Sequence, residues 1–111
     1  IGEFFINNNI KIEKIFSSEW CRCEETAELA FKDYSTKNFL NSFFSPEYAT
    51  NKIKQIKELN DYVSQLKSSK NMVFVTHYVL ISEVLNYAPS SGEIVVSDKN
   101  FNIIGSININ Y

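Results

Sequence analysis

The chain is poor in the residues that usually announce a function. Its 111 residues include one histidine, two cysteines, one tryptophan, two prolines and three glycines. Cys21 and Cys23 are separated by a single residue, too close on a helix to bridge each other, so no disulfide framework is expected and no redox compartment is indicated. A C-x-C pair whose only histidine lies more than fifty residues away matches no strong zinc spacing, and two half-buried thiols are expected instead. Charge of one sign is also lacking. The net charge of −2 and pI near 5.4, with lysines scattered along the chain, exclude a broad electrostatic footprint for nucleic acid. No apolar run approaches the length of a membrane span, and no basic, then apolar, then small-residue leader opens the chain. A soluble protein without a membrane partner is expected, with nothing to separate cytoplasm from periplasm. The first residue is Ile1, and the segment to Ile6 reads as the tail of an element; a processed or truncated protein is the expectation.

What is present fits one small domain over residues 1–111, with 44% hydrophobic and 22% charged residues. Asn7, Asn8 and Asn9 form a helix-stop or turn signal. Ile10 to Phe16 then reads as a strand meeting the capping hydroxyls of Ser17 and Ser18. Glu19 to about Lys32 follows as a helix, with Cys23, Ala27, Ala30 and Phe31 on one face. Residues 33–45 lack a sustained period, and Tyr34, Phe39, Phe43 and Phe44 imply a loop that packs down. Ser45-Pro46-Glu47 opens a second helix running to about Lys67, with an apolar stripe of Ala49, Ile53, Ile56, Leu59, Val63 and Leu66 and an ion pair from Lys57 to Asp61. Met72 to Val75 is a strand apolar enough to be covered on both faces. It runs through Thr76-His77 into a short helix from Tyr78 to Tyr87. Glu93 to Ser97 and Phe101 to Ile109 form an antiparallel hairpin about Asp98-Lys99-Asn100. Strands alternating with helices predict an α/β layered fold.

Two strand-to-helix turns are the candidate chemical sites. Ser17-Ser18 leads to Arg22, and Thr76-His77 leads to the last helix; in open α/β sheets ligands gather beyond the carboxyl ends of the strands, where helix amino termini offer N–H groups to anions. Arg22 in a first helical turn can grip a phosphate or carboxylate with its fork, or else pair with Glu19 or Glu25 on the surface. His77 is either a satisfied structural imidazole or a ligand-binding one. The six tyrosines and nine phenylalanines read as core and loop packing.

The run Ser17-Ser18-Glu19-Trp20-Cys21-Arg22-Cys23-Glu24-Glu25-Thr26-Ala27 resembles the S-S-x-x-x-R-x-x-E-T-A motif of the histidine phosphatase (phosphoglycerate mutase-like) superfamily. Val73-Phe74-Val75-Thr76-His77 resembles the second-histidine strand of that family. Ser91 to Val96 is similar to the strand that follows in one bacterial branch, and Leu40 to Phe44 to that branch's loop. The resemblance implies a three-layer α/β fold, a mostly parallel sheet with helices on both faces, here without its amino-terminal strand. It also implies a phosphomonoester hydrolase working without a cofactor or metal, in which a histidine of an R-H-G motif becomes phosphorylated and is then hydrolysed. Arg22 would be the pocket arginine, His77 the second histidine, and Ser17 and Ser18 would line the phosphate-binding turn.

The chain departs from that pattern in one decisive respect: it has a single histidine and no R-H-G. As written it is expected to be catalytically inactive. The alternative is a non-catalytic module of the same fold that binds phosphate, a phosphorylated small molecule or a partner chain, including a second copy through an open sheet edge. Tyr78 stands where many relatives carry a smaller residue. Asp33, Glu47 and Glu93 are candidates for the general acid by residue type alone.

Overall fold

The computed structural model describes residues 12–44, 46–66, 71–90 and 92–108. The turn and helix end expected before Ile12, the Ser45 cap and the helix end at Lys67 lie outside these residues, as does Ser91. Strand β1 (Ile12–Ser17) leads to helix α1 (Cys21–Phe31), then to a two-residue strand β2 (Ser35–Thr36) and a 3-10 turn at Asn38–Leu40. A second 3-10 turn (Ala49–Asn51) winds into α2 (Lys52–Ser64), followed by β3 (Asn71–Val75), α3 (Tyr78–Leu85), β4 (Ile94–Ser97) and β5 (Ile103–Ile107).

The domain is α/β, built on a small parallel sheet in the order β2-β1-β3. Strand β1 lies between its neighbours, with Phe16 opposite Phe74 and Ser17 opposite Val75 on one side and Ser17 opposite Thr36 on the other. The hairpin does not extend this sheet. Strands β4 and β5 pair antiparallel with each other as a separate two-stranded sheet, so three of the five described strands, rather than a single mostly parallel sheet, carry the expected pairing. The physical reason is local: the Asp98 carboxylate accepts the Asn100 and Asn102 N–H groups at 2.9 and 3.0 Å, closing the hairpin from within its own sequence.

The main core joins Phe16 of β1, Leu59 and Val63 of α2, Leu80 of α3, and Phe39, Leu40 and Phe43 of the connecting segment. Each such side chain contributes about 1.5–3 kcal/mol when removed from water. The 33–44 segment therefore packs down through three of its aromatic and aliphatic residues, while Phe44 turns outward. Helix α1 buries Cys23 and Ala27 outside this cluster. The buried face of α2 differs from the expected stripe. Gln55, Leu59 and Val63 are buried, whereas Ala49 and Ile53 are exposed. Gln55 explains the rotation, because its Nε2 donates to the carbonyls of Phe39 at 3.3 Å and Asn41 at 2.7 Å, satisfying loop groups that would otherwise be stranded. With residues 49–51 exposed, no packing holds a full α-turn there, and the entry tightens to 3-10 geometry. Among the described residues, α2 pairs Lys54 with Glu58 at 3.9 Å and Lys52 with Glu83 of α3, and the expected Lys57 to Asp61 pair does not form.

Candidate anion-binding cleft

Parallel pairing brings the two candidate turns together. Strands about 4.8 Å apart and in register end on the same edge, and the ladder continues one residue further as the Ser18 N–H donates to the Val75 carbonyl at 2.9 Å. Ser18 and Thr76 thus stand side by side, with His77 one residue beyond. Thr76 Oγ1 donates to the Leu40 carbonyl at 2.6 Å, fastening the end of β3 to the connecting segment.

Ser18 is the hub. Its Oγ lies 2.9 Å from His77 Nε2 and 3.0 Å from Asn41 Oδ1, and it accepts the Trp20 N–H at 3.1 Å. The Asn41 amide is oriented by Glu19, whose N–H donates to Oδ1 at 2.8 Å and whose carboxylate accepts from Nδ2 at 2.9 Å. With Oδ1 thereby an acceptor, the single Ser18 proton goes to Asn41, and both remaining lone pairs of Ser18 accept, one from Trp20 and one from Nε2–H of His77. This chain of bonds assigns the Nε2–H tautomer and leaves Nδ1 as the nitrogen without a partner among the described residues. Cys23 Sγ makes a longer contact to Nε2 at 3.6 Å. Ser17 points elsewhere: it is buried and its Oγ donates to the Ser18 carbonyl at 2.8 Å.

Electrostatics follow from burial. Removal from water lowers the His77 pKa below its ordinary value of 6.5, and the Arg22 guanidinium lowers it further. His77 is therefore neutral at pH 7, and Arg22 is the formal cation of the site. Burial raises the Cys23 thiol, with the nearby Ser18 hydroxyl and Arg22 acting in opposition. Ser18 is 0% exposed and Cys23 is a buried thiol, so neither is placed to attack a ligand in the cleft; both hold the imidazole.

A cleft of about 600 Å³ opens over this network, and Arg22, His77 and Ser42 line it together with Trp20, Phe44 and Tyr78. The first residues of both helices, Cys21 and Arg22 of α1 and Tyr78 and Val79 of α3, line it as well. Their backbone N–H groups find no acceptor among the described residues, and no side chain caps either helix. Two uncapped amino termini, each with partial positive charge, thus meet one cleft. Arg22 forms no ion pair among the described residues, so the pairing with Glu19 or Glu25 that composition allowed does not occur. The general-acid candidates are elsewhere: none of Asp33, Glu47 and Glu93 lines the cleft. Glu93 accepts the Tyr87 hydroxyl at 2.5 Å and the Ser90 N–H at 2.8 Å. No group of three His, Cys, Asp or Glu side chains converges as a metal site among the described residues.

Three participants escaped the reading of the sequence. Asn41 and Cys23 belong to elements without an obvious chemical signal and meet His77's partner or ring only through the fold. Trp20 flanks the imidazole edge-on, with ring centroids 5.0 Å apart; its position beside Arg22 in the sequence was the available clue. No protein-family model matches the chain, and no curated protein matches it.

Proposed function

We propose that this chain is the phosphate-holding part of a phosphohistidine-dependent phosphomonoester hydrolase with a three-layer, phosphoglycerate mutase-like fold. The observation that supports this reading is the convergence on one cleft of an unpaired Arg22, His77 and the free N–H groups of two helix amino termini. Such a constellation suits a dianionic phosphoryl group: the guanidinium takes two oxygens in a fork, the helix N–H groups take others, and none of these donors must first be freed from an internal partner. Neutral His77 offers an acceptor at Nδ1. To donate there it must take up a proton, so phosphate binding draws a proton into the site.

In the proposed reaction a histidine contributed by sequence outside these 111 residues attacks phosphorus. The bond to the ester oxygen breaks, a proton reaches the leaving alkoxide, and water then cleaves the phosphohistidine to release phosphate. Arg22 and His77 neutralise charge on the phosphoryl oxygens in both steps. The second reading, a phosphate-binding module without turnover, is favoured by one specific fact: the chain has no second histidine.

The test begins with the single histidine, whose imidazole resonances are unambiguous. Titration of the 111-residue chain with inorganic phosphate should move the His77 resonances and raise its pKa, and Arg22→Ala should abolish the response. Resonances unmoved at millimolar phosphate would overturn both readings. Turnover separates them. A chain that also carries an R-H-G segment should hydrolyse p-nitrophenyl phosphate in the presence of a metal chelator, and Arg22→Ala or His77→Ala should each cost about 10²–10³-fold in kcat; phosphate binding without turnover in that longer chain leaves the binding module.

A further inference from the structure

We propose that the ligand of this cleft is a phosphate ester of a flat aromatic group, an aryl phosphate rather than a sugar or glycerol phosphate. The inference rests on the phosphate reading above and names its substrate class. The lining has two unlike parts. Arg22, His77 and the helix N–H groups supply the anion-binding part, while Trp20, Phe44 and Tyr78 supply aromatic surface. Among the described residues no carboxylate side chain lines the cleft, so the hydroxyl groups of a sugar find no carboxylate acceptor there. The Ser42 hydroxyl is buried and already accepts the Phe44 N–H at 3.2 Å.

The aromatic part is held open to solvent by the fold. Phe43 is buried in the core, and the Ser42 hydroxyl that accepts the Phe44 N–H turns the chain just there. Phe44 is accordingly 81% exposed, and Tyr78, beside His77, is 55% exposed. Large apolar rings in water at the mouth of a polar site gain most from a ligand that covers them. Trp20 is already ordered for that role, with its ring edge-on to His77 at 5.0 Å and to Tyr48 at 5.7 Å, so little rotamer freedom is lost when a ligand stacks beside it. Stacking of one aromatic ring on such side chains strengthens binding by about ten-fold or more.

Trp20 is the only tryptophan of the chain and lies in the cleft, so its fluorescence reports occupancy. The chain is titrated with phenyl phosphate, glycerol 2-phosphate and inorganic phosphate. Phenyl phosphate should bind at least about ten-fold more tightly than glycerol 2-phosphate. Phe44→Ala should shrink that ratio several-fold by weakening phenyl phosphate more than inorganic phosphate, and Arg22→Ala should weaken all three. Equal affinities for the two esters, with inorganic phosphate still bound through Arg22, would overturn the aryl assignment and leave the phosphate reading standing. Phenyl phosphate binding that ignores Arg22→Ala, or no binding of any of the three, would overturn both.

Discussion

The cleft end of the parallel sheet and the β4-β5 hairpin are built on opposite principles. At the cleft, the side-chain contacts that assemble the site join residues far apart in sequence: Ser18 with His77, Ser18 with Asn41, Thr76 with Leu40, Gln55 with Asn41. In the hairpin the turn is closed by short-range contacts, from Asp98 to Asn100 and Asn102, while Phe101 joins it to the main core. Burial follows the same division. Leu40 is fully buried beneath the cleft, whereas Ile104 of β5 is 70% exposed. The site is a product of global folding, while the hairpin is closed by local turn contacts and joined to the core through Phe101, so fraying of β4 and β5 should leave the site in place.

The largest expected effect tests that division directly. Leu40→Ala should lower global stability by about 2–5 kcal/mol, measured by urea unfolding, because it opens a cavity where β3, α2 and the connecting segment meet. Ile104→Ala should stay within about 0.5 kcal/mol of the parent chain. A comparable loss in both would show that the hairpin is as integral as the core.

Next in size is Ser18→Ala, which strands the Trp20 N–H and the His77 Nε2–H in a part-buried setting and should cost about 1–3 kcal/mol. Imidazole ¹⁵N shifts provide the sharper measurement. They should report the Nε2–H tautomer in the parent chain and a mixture in the variant; an unchanged tautomer would remove Ser18 from its positioning role. Asp98→Ala should cost about 1 kcal/mol or less by removing the turn's internal acceptor. Hydrogen exchange should accelerate in β4 and β5 while β1 and β3 keep their protection. Phe101, held at φ 62° within this turn, is a conformation an aromatic residue rarely adopts, and the Asp98 carbonyl that accepts its N–H at 3.0 Å helps to keep it there.

The smallest effect is the dependence of stability on mildly acid pH. Burial and Arg22 hold the folded His77 pKa below 6.5, so the unfolded chain binds the proton more readily. The contribution of neutral His77 is therefore present above about pH 6.5 and is lost as pH falls through the lowered folded value. Glu93 and Asp98, both depressed by hydrogen bonds, act in a separate window below the ordinary carboxylate range. Urea midpoints at pH 7.5 and pH 5.5 should converge between the parent chain and His77→Gln as pH falls. A gap that is constant with pH would contradict the lowered pKa.

Much of this organisation was legible in the sequence because it is short-range. The period of Cys23 and Ala27 marks α1, the continuous apolar run at Met72 to Val75 marks β3, and the Asp98-Lys99-Asn100 turn marks the hairpin; each signal lies within one element. The face of α2 was not legible, because the choice between Ile53 and Gln55 is made by loop carbonyls at Phe39 and Asn41 that come near only in the folded chain. Local chemistry and composition are enough to place α1, the middle of α2, β3 and the hairpin, the single imidazole and Arg22 in a first helical turn, whereas the short strand β2 inside the expected 33–45 loop exists only by pairing with β1. Only the tertiary structure decides that Ser18 holds His77, that Arg22 makes no ion pair among the described residues and that Phe44 faces outward at the cleft. Those outcomes depend on strand register and on which competing side of each segment the core can bury, quantities that no local pattern contains.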